Sequence, residues 1–286
     1  MSDTSAGSPT APGLTRRSFL GAAVSAVTLS ACGLPTRERP ERVLFVGNSL
    51  IYYNDLPSQF AQLASAALGR PVEADMLARG GAHLSHHLAG GVVQRELASG
   101  RYSALVLQEF GGGLRCHPEL AKFGFTCEVS HAAHAELAST AQQHGTRPLL
   151  LGSYRMDPRG AGMLGAAEAE LAARIGALHA GLGDFPALRA EYSDWLWLDP
   201  EDGAHPGHDL TLLMALRTLK TLYGQLPPIG AVTLRFRDFR GPHAPRLDRL
   251  ASAEEAHAPW LQRSLSSEDF AERMEAAGLS LPPRAG

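Results

Sequence analysis

From residue 41 onward the chain alternates short apolar runs with longer stretches of helical periodicity. Val43-Leu44-Phe45-Val46 is apolar throughout, rich in β-branched and aromatic residues, and ended by Gly47. Such a run reads as a strand buried on both faces of a parallel sheet. Further strands are expected over Val72–Leu77, Ala104–Leu107, Pro148–Gly152 and, more weakly, Leu188–Tyr192. Helices are expected over Leu56–Leu68, His83–Leu97, His131–Gln143, Met163–Leu182 and residues 208–223. This alternation predicts an α/β fold, a parallel sheet with helices on both faces. Residues 225–286 differ: Ala231–Phe236 reads as a strand, and Ser252–Ser264 and Ser267–Ala277 as capped helices. They are expected to form a C-terminal, largely helical appendage beside a main domain spanning 41–224.

Ligands of open α/β sheets bind beyond the carboxyl ends of the strands. Gly47-Asn48-Ser49 lies at the first of those ends, which makes Ser49 a candidate nucleophile. A second stretch, Asp199-Pro200-Glu201-Asp202-Gly203-Ala204-His205-Pro206, puts Asp202 and His205 three apart in one turn. An imidazole there suits the role of proton acceptor, and the carboxylate suits its orientation. Arg79-Gly80-Gly81 follows the second strand and supplies backbone N–H donors; Gln108 ends the third and supplies an amide.

Together these four stretches resemble the SGNH (GDSL-like) hydrolase family over about residues 41–224. Gly47-Asn48-Ser49-Leu50 matches the family's first block, Gly81 (with Gly80 as the alternative) the second, and Asp202-x-x-His205-Pro the fifth. Leu107-Gln108-Glu109 stands where the third block has Gly-x-Asn-Asp. The resemblance implies a three-layer α/β/α flavodoxin-like fold and a Ser49–His205–Asp202 triad acting on ester bonds. It also implies an oxyanion site formed by the N–H groups of Ser49 and Gly81 and the amide of Gln108. No metal or organic cofactor is implied. Acyl transfer to an envelope glycan is the related alternative. A non-catalytic envelope lipoprotein that binds glycan or protein is the alternative from another class, favoured by the altered third block.

Residues 1–31 read as an export signal. Arg16-Arg17-Ser18-Phe19-Leu20 resembles a twin-arginine motif, and the apolar run from Phe19 to Ala31 is too short to span a membrane. Leu29-Ser30-Ala31-Cys32 resembles a lipobox, so Cys32 is expected to be lipidated and to hold the chain on a membrane surface. Residues 32–40 are polar and proline-containing, a tether. A net charge of −3 gives no basic surplus for a phosphate backbone, so nucleic acid is not an expected partner. The remaining cysteines, Cys116 and Cys127, share a Gly-rich loop. An exported compartment favours a disulfide between them over free thiols or a metal site with the nearby histidines. His83, His86 and His87 are expected to serve packing or the cleft mouth. Trp195 and Trp197 are expected to pack in the core or at its rim.

Overall fold

A computed structural model describes residues 40–110, 113–116, 126–224, 230–251 and 258–279. The expected signal (1–31), Cys32 and nearly all of the tether lie outside the described residues. Five strands form one sheet: β1 (Glu41–Gly47), β2 (Val72–Ala78), β3 (Ala104–Gln108), β4 (Arg147–Leu151) and β5 (Leu178–Ala180). Their order is β2-β1-β3-β4-β5, and every pairing is parallel. The chain therefore leaves β1 toward one edge and returns through β3 toward the other. A crevice opens at that reversal, beyond the carboxyl ends of β1 and β3.

The period-2 geometry of a strand divides β1 between two cores. Val43 and Phe45 point into one, with Val106 and Leu149; Leu44 and Val46 point into the other, with Leu105 and Leu107. The first core is closed by α2 (Leu56–Leu68) and α8 (His208–Tyr223). The second is closed by α3 (Leu84–Gly90), α4 (Val92–Ala98) and α5 (Cys127–Gln143). Helices on both faces make the three-layer α/β/α arrangement.

Several boundaries differ from the sequence expectation, each for a local reason. The helix expected over His83–Leu97 is two, because Gly91 adopts a left-handed φ of 67° that ends one and starts the next. The helix expected over Met163–Leu182 is α6 (Pro158–Arg174), capped by Asp157 through the Gly160 N–H. It stops before Gly176 (φ 64°), and residues 178–180 become the edge strand β5. The strand expected over Leu188–Tyr192 is instead the helix α7 (Phe185–Glu191), entered through Asp184 with a proline in its first turn.

The C-terminal region is also less helical than expected. Trp260–Leu265 is a strand, β7, paired antiparallel with β6 (Val232–Arg237). Inward and outward residues alternate along Leu261-Gln262-Arg263-Ser264-Leu265, a period of two. The helix expected over Ser252–Ser264 thus fails in its second half, while residues 252–257 lie outside the described residues. The expected second helix is present as α9 (Ser267–Ala276), capped by Ser266. Leu234, Phe236, Phe270 and Met274 join the first core, so the region packs against the main domain. Among the described residues, no helix is long and apolar enough to cross a membrane.

Candidate active site

β1 ends at Gly47, where a Cβ would lie 2.9 Å from the Gln108 carbonyl oxygen; only glycine lets β1 and β3 close up here. Asn48 then caps the short helix α1 (Ser49–Tyr52), its Oδ1 accepting from the Leu50 N–H at 3.1 Å. Its Nδ2 donates to the Ala82 carbonyl at 3.3 Å, drawing the 79–83 turn toward the same strand end. Ser49 is the first helical residue and is 7% exposed.

The opposite wall is the 199–206 turn. Asp199 organises it: its N–H donates to the His205 carbonyl at 2.9 Å, and its own carbonyl accepts from Gly203 at 2.8 Å. Asp202 Oδ1 accepts from the Ala204 and His205 N–H groups at 2.8 and 2.9 Å. Its Oδ2 lies 2.6 Å from His205 Nδ1, and His205 Nε2 lies 2.9 Å from Ser49 Oγ. A carboxylate only accepts, so Nδ1 carries the imidazole proton and Nε2 faces the seryl hydroxyl as acceptor. Burial pushes the Asp202 carboxyl upward, but the His205 and Ala204 N–H groups and the imidazole outweigh it and hold the group below its ordinary value.

The structure places the other candidates unequally. Gly81 is exposed with a left-handed φ of 65° in the turn held by Asn48, and no hydrogen bond engages its N–H or that of Ser49 among the described residues. Gln108 does not fill the role the resemblance implies. It is fully buried, and its amide donates to the Glu109 carbonyl and, at 3.0 Å, to Ser153 Oγ. Its side chain packs over Gly47 and ties β3 to the end of β4 instead of extending past the strand end. Cys116 and Cys127 are joined as a disulfide with Cα atoms 4.9 Å apart, so neither offers a thiolate to a metal.

His87 is buried, and its Nε2 lies 2.7 Å from the Gly47 carbonyl. Burial pushes its imidazole down to about 4, so it is neutral and donates Nε2–H to that carbonyl. Trp195 and Trp197 are buried against each other and Phe185.

Three residues at the site were given no role by the sequence. Tyr53 stacks on His205. Asn54 donates to the Pro206 carbonyl at 2.7 Å and to Thr211 Oγ1 at 3.2 Å, tying the end of α1 to the turn behind His205. Glu109 is buried under the 79–84 turn. It accepts from Ser130 Oγ and the Phe110 N–H, both at 2.7 Å, and lies 3.3 Å from His83 Nδ1. Burial raises its carboxyl, but His83, the His134 imidazole and these donors outweigh it and leave it lowered. Adjacency to Ser49 was the available signal for Tyr53 and Asn54, and the third-block stretch Leu107-Gln108-Glu109 was the signal for Glu109.

No family model and no curated protein matches the chain. Solved structures do. A variant of Axe2, described as an acetyl xylan esterase from Geobacillus stearothermophilus, aligns with a TM-score of 0.51 at 11% identity over 64% of this chain and 94% of that one. Another Axe2 variant, described as an acetyl-xylooligosaccharide esterase, aligns with a TM-score of 0.50 at 12% identity over the same shares. TesA aligns with a TM-score of 0.48 at 18% identity over 64% of this chain and 98% of that one. At these identities the likeness to the Axe2 structures shows a shared fold, the three-layer arrangement that the SGNH resemblance implies.

Proposed function

We propose that the chain is a serine hydrolase of ester bonds. The observation that carries this reading is the unbroken relay from Ser49 Oγ to His205 Nε2 (2.9 Å) and from His205 Nδ1 to Asp202 Oδ2 (2.6 Å). Its members come from opposite ends of the main domain and meet in the crevice at the sheet's switch point. Ser49 Oγ attacks the ester carbonyl while its proton passes to His205 Nε2; Asp202 compensates the imidazolium charge. The tetrahedral oxyanion accepts from the backbone N–H groups of Ser49 and Gly81, which carry no other bond among the described residues. On collapse the alcohol leaves with the proton held at Nε2. Water then repeats the cycle, giving its proton to Nε2 and releasing the acid and free Ser49.

The acyl group is short, and an O-acetylated carbohydrate is the first substrate to test. The support is the fold shared with an enzyme described as an acetyl xylan esterase, together with a site that opens at the surface. We place the enzyme outside the cytoplasm on a lipid anchor at Cys32, on the strength of the twin-arginine and lipobox-like motifs.

The test is hydrolysis of p-nitrophenyl acetate, butyrate and octanoate and of acetylated xylooligosaccharide by the wild type and Ser49→Ala. The wild type is expected to prefer acetate, and Ser49→Ala to lose on the order of a thousandfold or more in kcat. Equal rates in the two proteins would end the hydrolase reading.

A further inference from the structure

The imidazole of His205 is held on a side the triad does not account for. The Tyr53 ring lies flat against it, with centroids 3.8 Å apart and 6° between planes. The same residue's phenol oxygen donates to Asp202 Oδ2 at 3.3 Å, the oxygen that accepts from His205 Nδ1. Tyr53 stands four residues after Ser49 and caps its helix, its N–H bonded to the Ser49 carbonyl at 3.1 Å. Residues four apart share a helix face, so one helical turn delivers both the hydroxyl at the imidazole edge and the ring across its face.

From this arrangement we propose that Tyr53 is a positioning residue of the triad. Its ring fixes the plane of His205 and favours the imidazolium formed in the reaction, and its hydroxyl fixes Asp202. This inference rests on the hydrolase reading. The site has a physical need for it. The His205 and Asp202 side chains are 28% and 33% exposed, so water competes for both partners of their hydrogen bond. An aromatic face excludes water from one side of the imidazole, and its negative quadrupole attracts the charged form. Burial and the Asp202 charge push the phenol up to about 12, so it remains a donor through the working range. Among the described residues the other groups facing His205 are few. Ser49 lies at Nε2, and Tyr154 reaches the neighbouring Ala204 carbonyl from the loop after β4. Asp199 lies behind the turn, paired with Arg240.

The two halves of the contact predict shifts of opposite sign. Tyr53→Leu removes the ring, so the imidazolium is less favoured and the acid limb of the kcat/KM profile moves to lower pH. Tyr53→Phe keeps the ring and removes the donor from Asp202. The carboxylate then acts more fully on His205, and the acid limb moves to higher pH. Tyr53→Leu is also expected to lower kcat by on the order of tenfold or more through misalignment.

Both variants are first checked for wild-type thermal unfolding. Then pH profiles of p-nitrophenyl acetate hydrolysis are compared with those of the wild type. The His205 C2–H is titrated by NMR in the same proteins, assigned with His205→Gln, and is expected to move with the same signs. A purely structural role would lower stability and leave both midpoints in place. Unmoved midpoints, or shifts in the same direction, would overturn the proposal. The NMR titration reports on Tyr53 even in a protein that hydrolyses nothing, so failure of the hydrolase reading and failure of this inference remain distinct.

Discussion

At the scale of single residues, the site is built by hydrogen bonds that fix backbone where a reactive atom must sit. Gly47 shows the pattern. Its missing side chain admits Gln108, and its carbonyl is held by His87 from α3. Neutral His87 suits that carbonyl; protonation would bury a charge. Its folded-state value, pushed by burial to about 4, lies below the unfolded value of about 6.5. The unfolded chain therefore binds the extra proton first. Stability from this group is complete above pH 6.5 and is lost as pH falls toward 4, on the order of 3 kcal/mol across that window. His134 and His208, also held low by burial, act in the same direction. His87→Gln keeps an amide donor and does not titrate. Its melting temperature is expected to fall less steeply between pH 6.5 and 4 than that of the wild type. Parallel curves in scanning calorimetry would show that His87 contributes nothing to the acid sensitivity.

At the scale of elements, the C-terminal ribbon and helix clamp the segment that carries the 199–206 turn. Arg240, just after β6, donates to Asp199 Oδ2 at 3.2 Å. Arg263 of β7 and Arg273 of α9 converge on Asp209 Oδ1 at 2.7 and 2.8 Å. Asp209 in turn holds the Leu196 N–H through its other oxygen at 2.9 Å, on the approach to the turn. The Arg273 guanidinium also lies over Trp195 at 4.1 Å. Asp209 is buried, and removal of one partner leaves a poorly compensated charge. Arg273→Ala is expected to cost on the order of 3 kcal/mol in urea unfolding. It is also expected to lower kcat for p-nitrophenyl acetate, because the clamp holds the His205 segment. A variant as stable and as active as the wild type would reduce the ribbon to a surface attachment. The resemblance stopped at residue 224, so this coupling had no sequence signal: arginines 54 and 64 residues after Asp209 are related to it only in space.

At the scale of the whole molecule, the proposed export signal and lipid anchor fall in residues 1–32, and their test is biochemical. Labelled palmitate is expected to enter the full-length chain expressed in a bacterium with twin-arginine export. Cys32→Ala is expected to take up none and to be recovered in the soluble extracellular or periplasmic fraction. Label in Cys32→Ala would exclude the anchor.

Much of this molecule was legible in its sequence because the signals are local. Apolar runs of β1 and β3 announce buried parallel strands, and side-chain caps such as Ser266 and Gly stops such as Gly69 mark helix ends within a few residues. Where boundaries were missed, the deciding signal was weaker than the composition around it. Gly176 ended α6 within an Ala/Leu-rich stretch that continued to look helical, and Asp184-Phe185-Pro186 started α7 where apolar content suggested a strand. The members of the hydrogen-bonded relay, Ser49, Asp202 and His205, were likewise readable, since Asp202 and His205 sit in one turn. Tertiary structure alone decided the rest. It directed the Gln108 amide inward to Ser153, laid Tyr53 across His205 and closed Arg263 and Arg273 on Asp209. Each of these depends on which way a side chain leaves its element and on what stands opposite. Local propensity fixes an element, but the partner across a crevice is set by how the layers pack.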